Sequence, residues 1–160
     1  MLIRPKLFKS RANLSISALN AVTCITTDLF VLSRITGLNF LHIFFTFSIF
    51  FELAKILNKA KNSKDNRIIC VGTTALRTLE TSFENGEFKP INKKTNKFIY
   101  PGIDINSIDA LITNFHLPKS SLFILVCALM GTNKMLNAYN YAIKNKYRFY
   151  SYGDACLLEK

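Results

Sequence analysis

Asp109-Ala-Leu-Ile-Thr-Asn-Phe-His-Leu-Pro-Lys-Ser-Ser-Leu122 is where an apolar strand runs straight into a polar corner. Ile108 to Ile112 has the length and β-branched content of a short strand. Thr113, Asn114, His116, Lys119 and Ser120 then gather donors, acceptors and one titratable imidazole beside Pro118, which stiffens the backbone. Ser120 or Ser121 is a natural cap for the helix predicted over Leu122 to Met130. That helix is apolar all round and too short to span a bilayer, so it reads as a buried core helix.

Working outward, Arg67 to Gly72 is a second short apolar run, predicted as a buried strand of a parallel or mixed sheet. Thr73 or Thr74 is expected to cap the helix after it. Leu76, Leu79 and Phe83 form the apolar face of that helix, and Asn85-Gly86 is expected to end it. Strand, turn and helix in this order point to an α/β fold. Leu53, Ile56, Leu57 and Ala60 mark a helix upstream, and Asn62 to Asn66 a polar turn. Phe98-Ile-Tyr-Pro-Gly102 is expected to be a short strand ended by Pro101. Gly131 should break the core helix, with Thr132 capping the next one. Met135, Leu136, Tyr139, Ala142 and Ile143 would line its face. Tyr147 to Leu158 is expected to close the fold as a strand or loop.

The 160 residues suffice for one domain with a core, and 49% are hydrophobic, which excludes a disordered polymer. A formal net charge of +11 favours a polyanionic partner. Cys24, Cys70, Cys127 and Cys156 lack the spacing of a metal site, and His42 lies far from His116, so no metal is expected. Three of these cysteines sit in apolar runs, as buried free thiols do in a reducing cytosol, and a cytoplasmic location is expected. Leu38 to Phe51 is rich in phenylalanine, but at 14 residues it falls short of the about 20 a spanning helix needs, so membrane insertion is not expected.

Three motifs join the opening stretch: Arg67-Ile-Ile-Cys-Val-Gly-Thr-Thr74, Phe98-Ile-Tyr-Pro-Gly102 and Tyr147-Arg-Phe-Tyr-Ser-Tyr-Gly-Asp-Ala155. Together they resemble the S-adenosylmethionine:tRNA ribosyltransferase-isomerases of queuosine biosynthesis. The resemblance runs from about Glu52 to Leu158. It implies the C-terminal portion of the family's α/β domain, without the β-barrel domain inserted in the full-length enzymes. The implied reaction transfers and isomerises the ribosyl group of S-adenosylmethionine onto a deazaguanine at the tRNA wobble position, releasing adenine and methionine. S-adenosylmethionine is thus the implied substrate and tRNA the implied partner.

Residues 1–51 do not share the resemblance. They read as the kind of text that a frameshift or degeneration in A/T-rich DNA produces. The division gives a non-matching segment over 1–51 and a matching α/β region over 52–160. On this reading the chain is a truncated, inactive remnant, or one that needs a separately encoded N-terminal half. A noncatalytic tRNA- or partner-binding fragment and a small membrane-associated protein are the readings from other classes.

Each candidate site residue has an ordinary reading beside its functional one. Gly72, Thr73 and Thr74 could receive an anionic group at a helix N-terminus, or simply start a helix. Arg77 could bind a carboxylate or phosphate, or form an exposed pair with Glu80. Asn114 and His116, two apart and so expected on one face, could meet a ribose hydroxyl or move a proton. A structural histidine is the alternative. Tyr100 could be a platform for a base, or a packed turn. Asp154 could place a carboxylate near the same pocket, or close a turn. Lys119 and Arg148 are candidate contacts to RNA phosphates. Two departures from the family pattern stand out. Thr95-Asn96-Lys97 replaces a family Thr-Asp, losing a carboxylate and gaining a cation, and Cys156 stands where the family has methionine.

Overall fold

In a computed structural model the chain is described over residues 6–8, 48–49, 51–92 and 95–160. Cys24, His42 and most of the Phe-rich stretch lie outside these residues. Among these residues, eight strands and four helices follow in order: β1 (Lys6–Phe8), β2 (Ser48–Ile49), α1 (Phe51–Lys61), β3 (Ile69–Val71), α2 (Thr73–Ser82), β4 (Phe83–Glu84), β5 (Glu87–Phe88), β6 (Ile91–Asn92), β7 (Ala110–Asn114), α3 (Ser121–Met130), α4 (Thr132–Lys144) and β8 (Ala155–Glu159).

The main sheet has the order β1-β8-β7-β3. β3 and β7 run parallel, with Val71 opposite Ile112, while β8 runs antiparallel to β7 and β1 antiparallel to β8. A parallel pair needs a long crossover, and α2 with the β4–β5 hairpin supplies it. The sheet is mixed, as the apolar run at 67–72 predicts. β7 starts two residues later than the expected Ile108 and reaches Asn114, because β8 continues the pairing to Ala155. Among the described residues there is no closed barrel.

The core lies between sheet and helices. Leu57 of α1, Leu76 and Leu79 of α2, Leu111 and Phe115 of the β7 segment, Val126 of α3, Met135 of α4 and Leu158 of β8 are all buried. Burying one such side chain contributes about 1.5–3 kcal/mol. Ile49 of β2 also enters this core. α3 is held as expected: the Ser120 hydroxyl accepts the Phe123 N–H at 3.1 Å. Cys70, Cys127 and Cys156 are free and buried.

Several local expectations are corrected. Asn85-Gly86 does not end α2, which stops at Ser82. Both residues have positive φ (54° and 87°) and form the two-residue turn of the β4–β5 hairpin. The N-caps of α2 and α4 are Gly72 and Gly131, with no side-chain cap, so Thr73 and Thr132 are first helical residues. Phe98 to Gly102 is not a strand. It is irregular chain ending in a turn closed by Ile103 N–H to Tyr100 O at 3.1 Å. On α4, Met135, Ala138, Tyr139 and Ala142 face the core, whereas Leu136 and Ile143 are exposed.

Candidate active site

The C-terminal ends of β3 and β7 lie side by side, since the Gly72 N–H donates to Ile112 O at 2.8 Å. Ligands of α/β sheets bind beyond the strand carboxyl ends. Gly72, Thr73 and Thr74 open α2 there, and no side chain caps its N-terminal amides. Arg77 sits one turn on, half-buried, on the same side of the helix as Thr73.

β7 delivers Thr113, Asn114 and His116 to the same end. Phe115 between them is fully buried, with ring centroids 5.3 Å from Tyr139, 5.9 Å from Tyr147 and 5.0 Å from Phe149. This aromatic cluster anchors the backbone of the corner. The His116 N–H donates to the Tyr139 hydroxyl at 2.9 Å. The imidazole Nε2 shares a hydrogen bond with the Thr113 hydroxyl at 3.0 Å. The imidazole therefore folds back onto Thr113. The Asn114 amide instead donates to Asp154 O at 3.4 Å. The two side chains flank Phe115 but make separate contacts, because β7 ends at Asn114 and strand alternation no longer governs His116.

Burial lowers the pKa of His116 below its ordinary 6.5, so the ring is neutral near pH 7. Its neighbours stay neutral as well. Burial pushes the Cys156 thiol up to about 12 and the Tyr139 phenol far above its usual range. Cys156 lies opposite Thr113 on β8 and donates to Thr113 O at 3.4 Å. As a protonated, buried thiol it is packing beneath the corner and not a nucleophile.

A pH effect follows. The folded state resists protonating His116, so below about pH 6.5 the unfolded chain takes up the proton first. The stability contribution is present above the unfolded pKa and is lost as pH falls toward the folded one. Urea unfolding from about pH 7.5 to about pH 5 should show stability declining with acid, and His116→Gln should flatten that decline. An unchanged slope in His116→Gln would assign the acid sensitivity to other groups.

The loop 148–154 closes the far side of the corner. The Tyr150 N–H donates to Phe115 O at 2.9 Å. Asp154, expected as a site carboxylate, is instead the clasp of its own loop. It is buried, its Oδ2 accepts the Arg148 N–H at 2.7 Å and its Oδ1 meets the guanidinium at 3.3 Å. Arg148 keeps a side chain 60% exposed, so it still presents positive charge outward. Lys119 is exposed with φ 61°, at the tip between β7 and α3.

Tyr100 stands apart. It stacks on Phe98 with centroids 6.0 Å apart and planes at 25°, and both rings are about half exposed. The hydrogen bonds of its loop run to the far end of α2. The Lys97 ammonium donates to Glu80 O at 2.6 Å, and the Ser107 N–H donates to Glu80 Oε1 at 2.8 Å. The Thr95 and Thr81 hydroxyls meet at 2.7 Å. Glu80 is therefore a buried anchor of this loop and not half of an exposed pair with Arg77. Lys97, the cation gained relative to the family pattern, neutralises that anchor. Sequence reasoning missed Tyr139 and Glu80 as organising groups, since one read as an apolar helix face and the other as a surface charge.

Among the described residues no cluster of three or more His, Cys, Asp or Glu could hold a metal ion. Among the same residues no single helix is long and apolar enough to cross a membrane.

A family model described as queuosine biosynthesis protein matches residues 46–158. The chain belongs to this queuosine biosynthesis family. The match begins six residues before Glu52 and so includes the buried Ile49. An S-adenosylmethionine:tRNA ribosyltransferase-isomerase of Coxiella burnetii is 55% identical over 100 residues, covering 62% of this chain and 29% of that protein. The one of Rickettsia typhi is 56% identical over 111 residues, covering 69% and 29%. The crystal structure of S-adenosylmethionine tRNA ribosyltransferase from Thermotoga maritima aligns with TM-score 0.62 at 45% identity, over 66% of this chain and 37% of that one. The queuosine-family chain thus has the mixed α/β fold of part of that enzyme, and it spans 29% of the length of these curated relatives.

Proposed function

We propose that this chain supplies the C-terminal α/β part of a tRNA-modifying S-adenosylmethionine:tRNA ribosyltransferase-isomerase, and that it acts only with the rest of such an enzyme. The observation that supports this best is convergence. The Val-Gly-Thr-Thr, Asn-Phe-His and Ser-Tyr-Gly-Asp motifs meet at one end of the sheet. They do so in a chain whose relatives carry that activity in their names.

In this reading the uncapped amides of Thr73 and Thr74, brought into place by Gly72 and helped by Arg77, receive the carboxylate of S-adenosylmethionine. The neutral imidazole of His116 accepts or relays a proton, or orients a ribose hydroxyl, with Asn114 beside it. Asp154 acts indirectly, by holding the loop on which Asn114 leans. Tyr100 with Phe98 offers stacking for a base presented from outside the corner. Lys119 and Arg148 face RNA phosphates. No metal enters the chemistry, and the reaction takes place in the cytoplasm, where tRNA is modified.

The isolated 160-residue chain is expected to lack transferase activity, because positioning both substrates needs complete walls. Purified chain would be incubated with precursor tRNA and S-adenosylmethionine, alone and together with the N-terminal part of a Rickettsia relative. Adenine release is expected only in the second case. Release by the chain alone at the relative's rate would overturn the need for a second part. No release in either case, with tRNA binding retained, would favour a noncatalytic tRNA-binding fragment.

A further inference from the structure

A cleft among the described residues lies away from the polar corner. It lies at the opposite end of the sheet, where β3 and β7 begin and β8 ends, beneath the C-terminus of α1. It encloses about 370 Å³. Its lining carries Lys61, Lys64, Arg67 and Lys160 against a single side-chain carboxylate, Asp109.

That carboxylate is already committed. Asp109 Oδ2 accepts the Ile68 N–H at 2.6 Å, and its Oδ1 lies 3.9 Å from the Lys61 ammonium. Glu159, just outside the lining, pairs with Arg67 at 3.0 Å. Glu80 and Asp104 reach Lys160 only through space, and Glu80 is taken by Lys97 and Ser107. Asp65 is exposed on the turn and does not line the cleft. Even with Glu159 beside the lining and the terminal carboxylate of Lys160 counted with Asp109, the four cations exceed the carboxylates by one. Burial lowers the pKa of the Lys160 ammonium; Glu80, Asp109 and Asp104 oppose that shift and Lys61 adds to it.

A structural role explains only part of the cluster. Lysine in the last turn of α1 offsets the helix dipole, which accounts for Lys59 and Lys61. Lys64, Arg67 and Lys160 come from a turn, a strand approach and a strand exit, and the dipole needs none of them. Ser63 and Asn66 add short polar side chains between the cations. Guanidinium, ammonium, hydroxyl and amide around a concavity suit the oxygens of a phosphate. No exposed large apolar residue lines the cleft, which a membrane-binding face would need.

We infer that this cleft, built by Lys61, Lys64, Arg67 and Lys160, holds backbone phosphates of an RNA at a point remote from the chemistry at the polar corner. The inference rests on the tRNA reading above. A tRNA is long enough to touch both ends of one small domain. Contacts at the far end would set its register without reading any base.

Binding of a fluorescent precursor tRNA to the full 160-residue chain would be titrated over a range of salt. Lys64→Glu with Arg67→Gln should weaken binding about tenfold or more at low salt and shallow the salt slope by about two. Lys64→Glu alone keeps the Arg67–Glu159 pair and should lose about half of that slope change while remaining folded by circular dichroism. Lys134→Glu, an exposed charge reversal off the cleft, controls for net charge. Equal weakening by Lys134→Glu overturns the site, as does unchanged binding in the double variant, and either leaves the tRNA reading intact. No tRNA binding by the parent chain overturns both. Cleft-dependent binding of inorganic phosphate without tRNA, or of anionic phospholipid vesicles without tRNA, assigns the cleft to another ligand and overturns the inference.

Discussion

His116→Ala, in an enzyme completed with the N-terminal part of a family relative, is expected to lower the transfer rate about a hundredfold or more. Removing an interaction made only in the transition state typically costs a few kcal/mol. Three observations favour His116 for such a role. Its backbone is locked by the Tyr139 hydroxyl and its ring is held by Thr113, so the imidazole is pre-positioned. Burial keeps it neutral, which suits proton acceptance near pH 7. It also stands beside the open N-terminus of α2 across the β3–β7 pair. Asn114→Ala should cost less, because that amide already leans on Asp154 O. His42→Ala is the comparison, since His42 lies outside the described residues and its sequence neighbours are apolar. The Tyr139 contact uses the His116 backbone and survives the substitution, so the variant should fold. Full activity with unchanged affinity for S-adenosylmethionine in folded His116→Ala would make the corner structural.

The parts of this fold that were legible in the sequence share a physical reason. The strand at Ile69–Val71 and the helix after it announce themselves by a switch from continuous apolar residues to helical spacing. α3 is legible because Ser120 stands immediately before an apolar run, and its hydroxyl does cap the helix. What misled the reading was short-range geometry. Phe83 continues the apolar spacing of α2, yet the chain turns there into a hairpin of two-residue strands, too short to show alternation. Phe98 to Gly102 has the residues of a strand but pairs with no strand among the described residues, and side-chain anchors to α2 hold its loop instead. At the site, the residue types at 72–74, 114 and 116 were readable. The grouping was not, because Thr113, Tyr139 and Asp154 take their roles from contacts 3, 23 and 40 residues away. The cleft at the other end is scattered over the chain as single basic residues. Only the sheet brings Arg67, Asp109 and Lys160 together.

Gly153→Ala is expected to be the most destabilising small substitution in the described chain, costing about 3 kcal/mol or more. A Cβ at this position would meet the carbonyl oxygens of Arg148 and Phe149 inside van der Waals contact. Those atoms are backbone and have no rotamer by which to withdraw. The loop cannot easily shift either, because the Gly153 N–H donates to Tyr150 O at 2.8 Å and the Asp154 N–H to Arg148 O at 2.8 Å. Pushing the chain apart would pull the buried Asp154 carboxylate from the Arg148 N–H, and an unsatisfied buried group of this kind is costly. It would also move Phe149, whose ring packs on Phe115 and Tyr139 and so supports the backbone of His116. Gly86→Ala separates crowding from backbone strain. Its φ of 87° makes alanine unfavourable by about 1 kcal/mol, but nothing lies within 4 Å of the added carbon. Thermal or urea unfolding should therefore rank Gly153→Ala well below Gly86→Ala, by several degrees in Tm. Near-equal losses would mean that the 148–154 loop yields freely. A loop that yields could not be the element that fixes Asn114 and the aromatic floor of the corner.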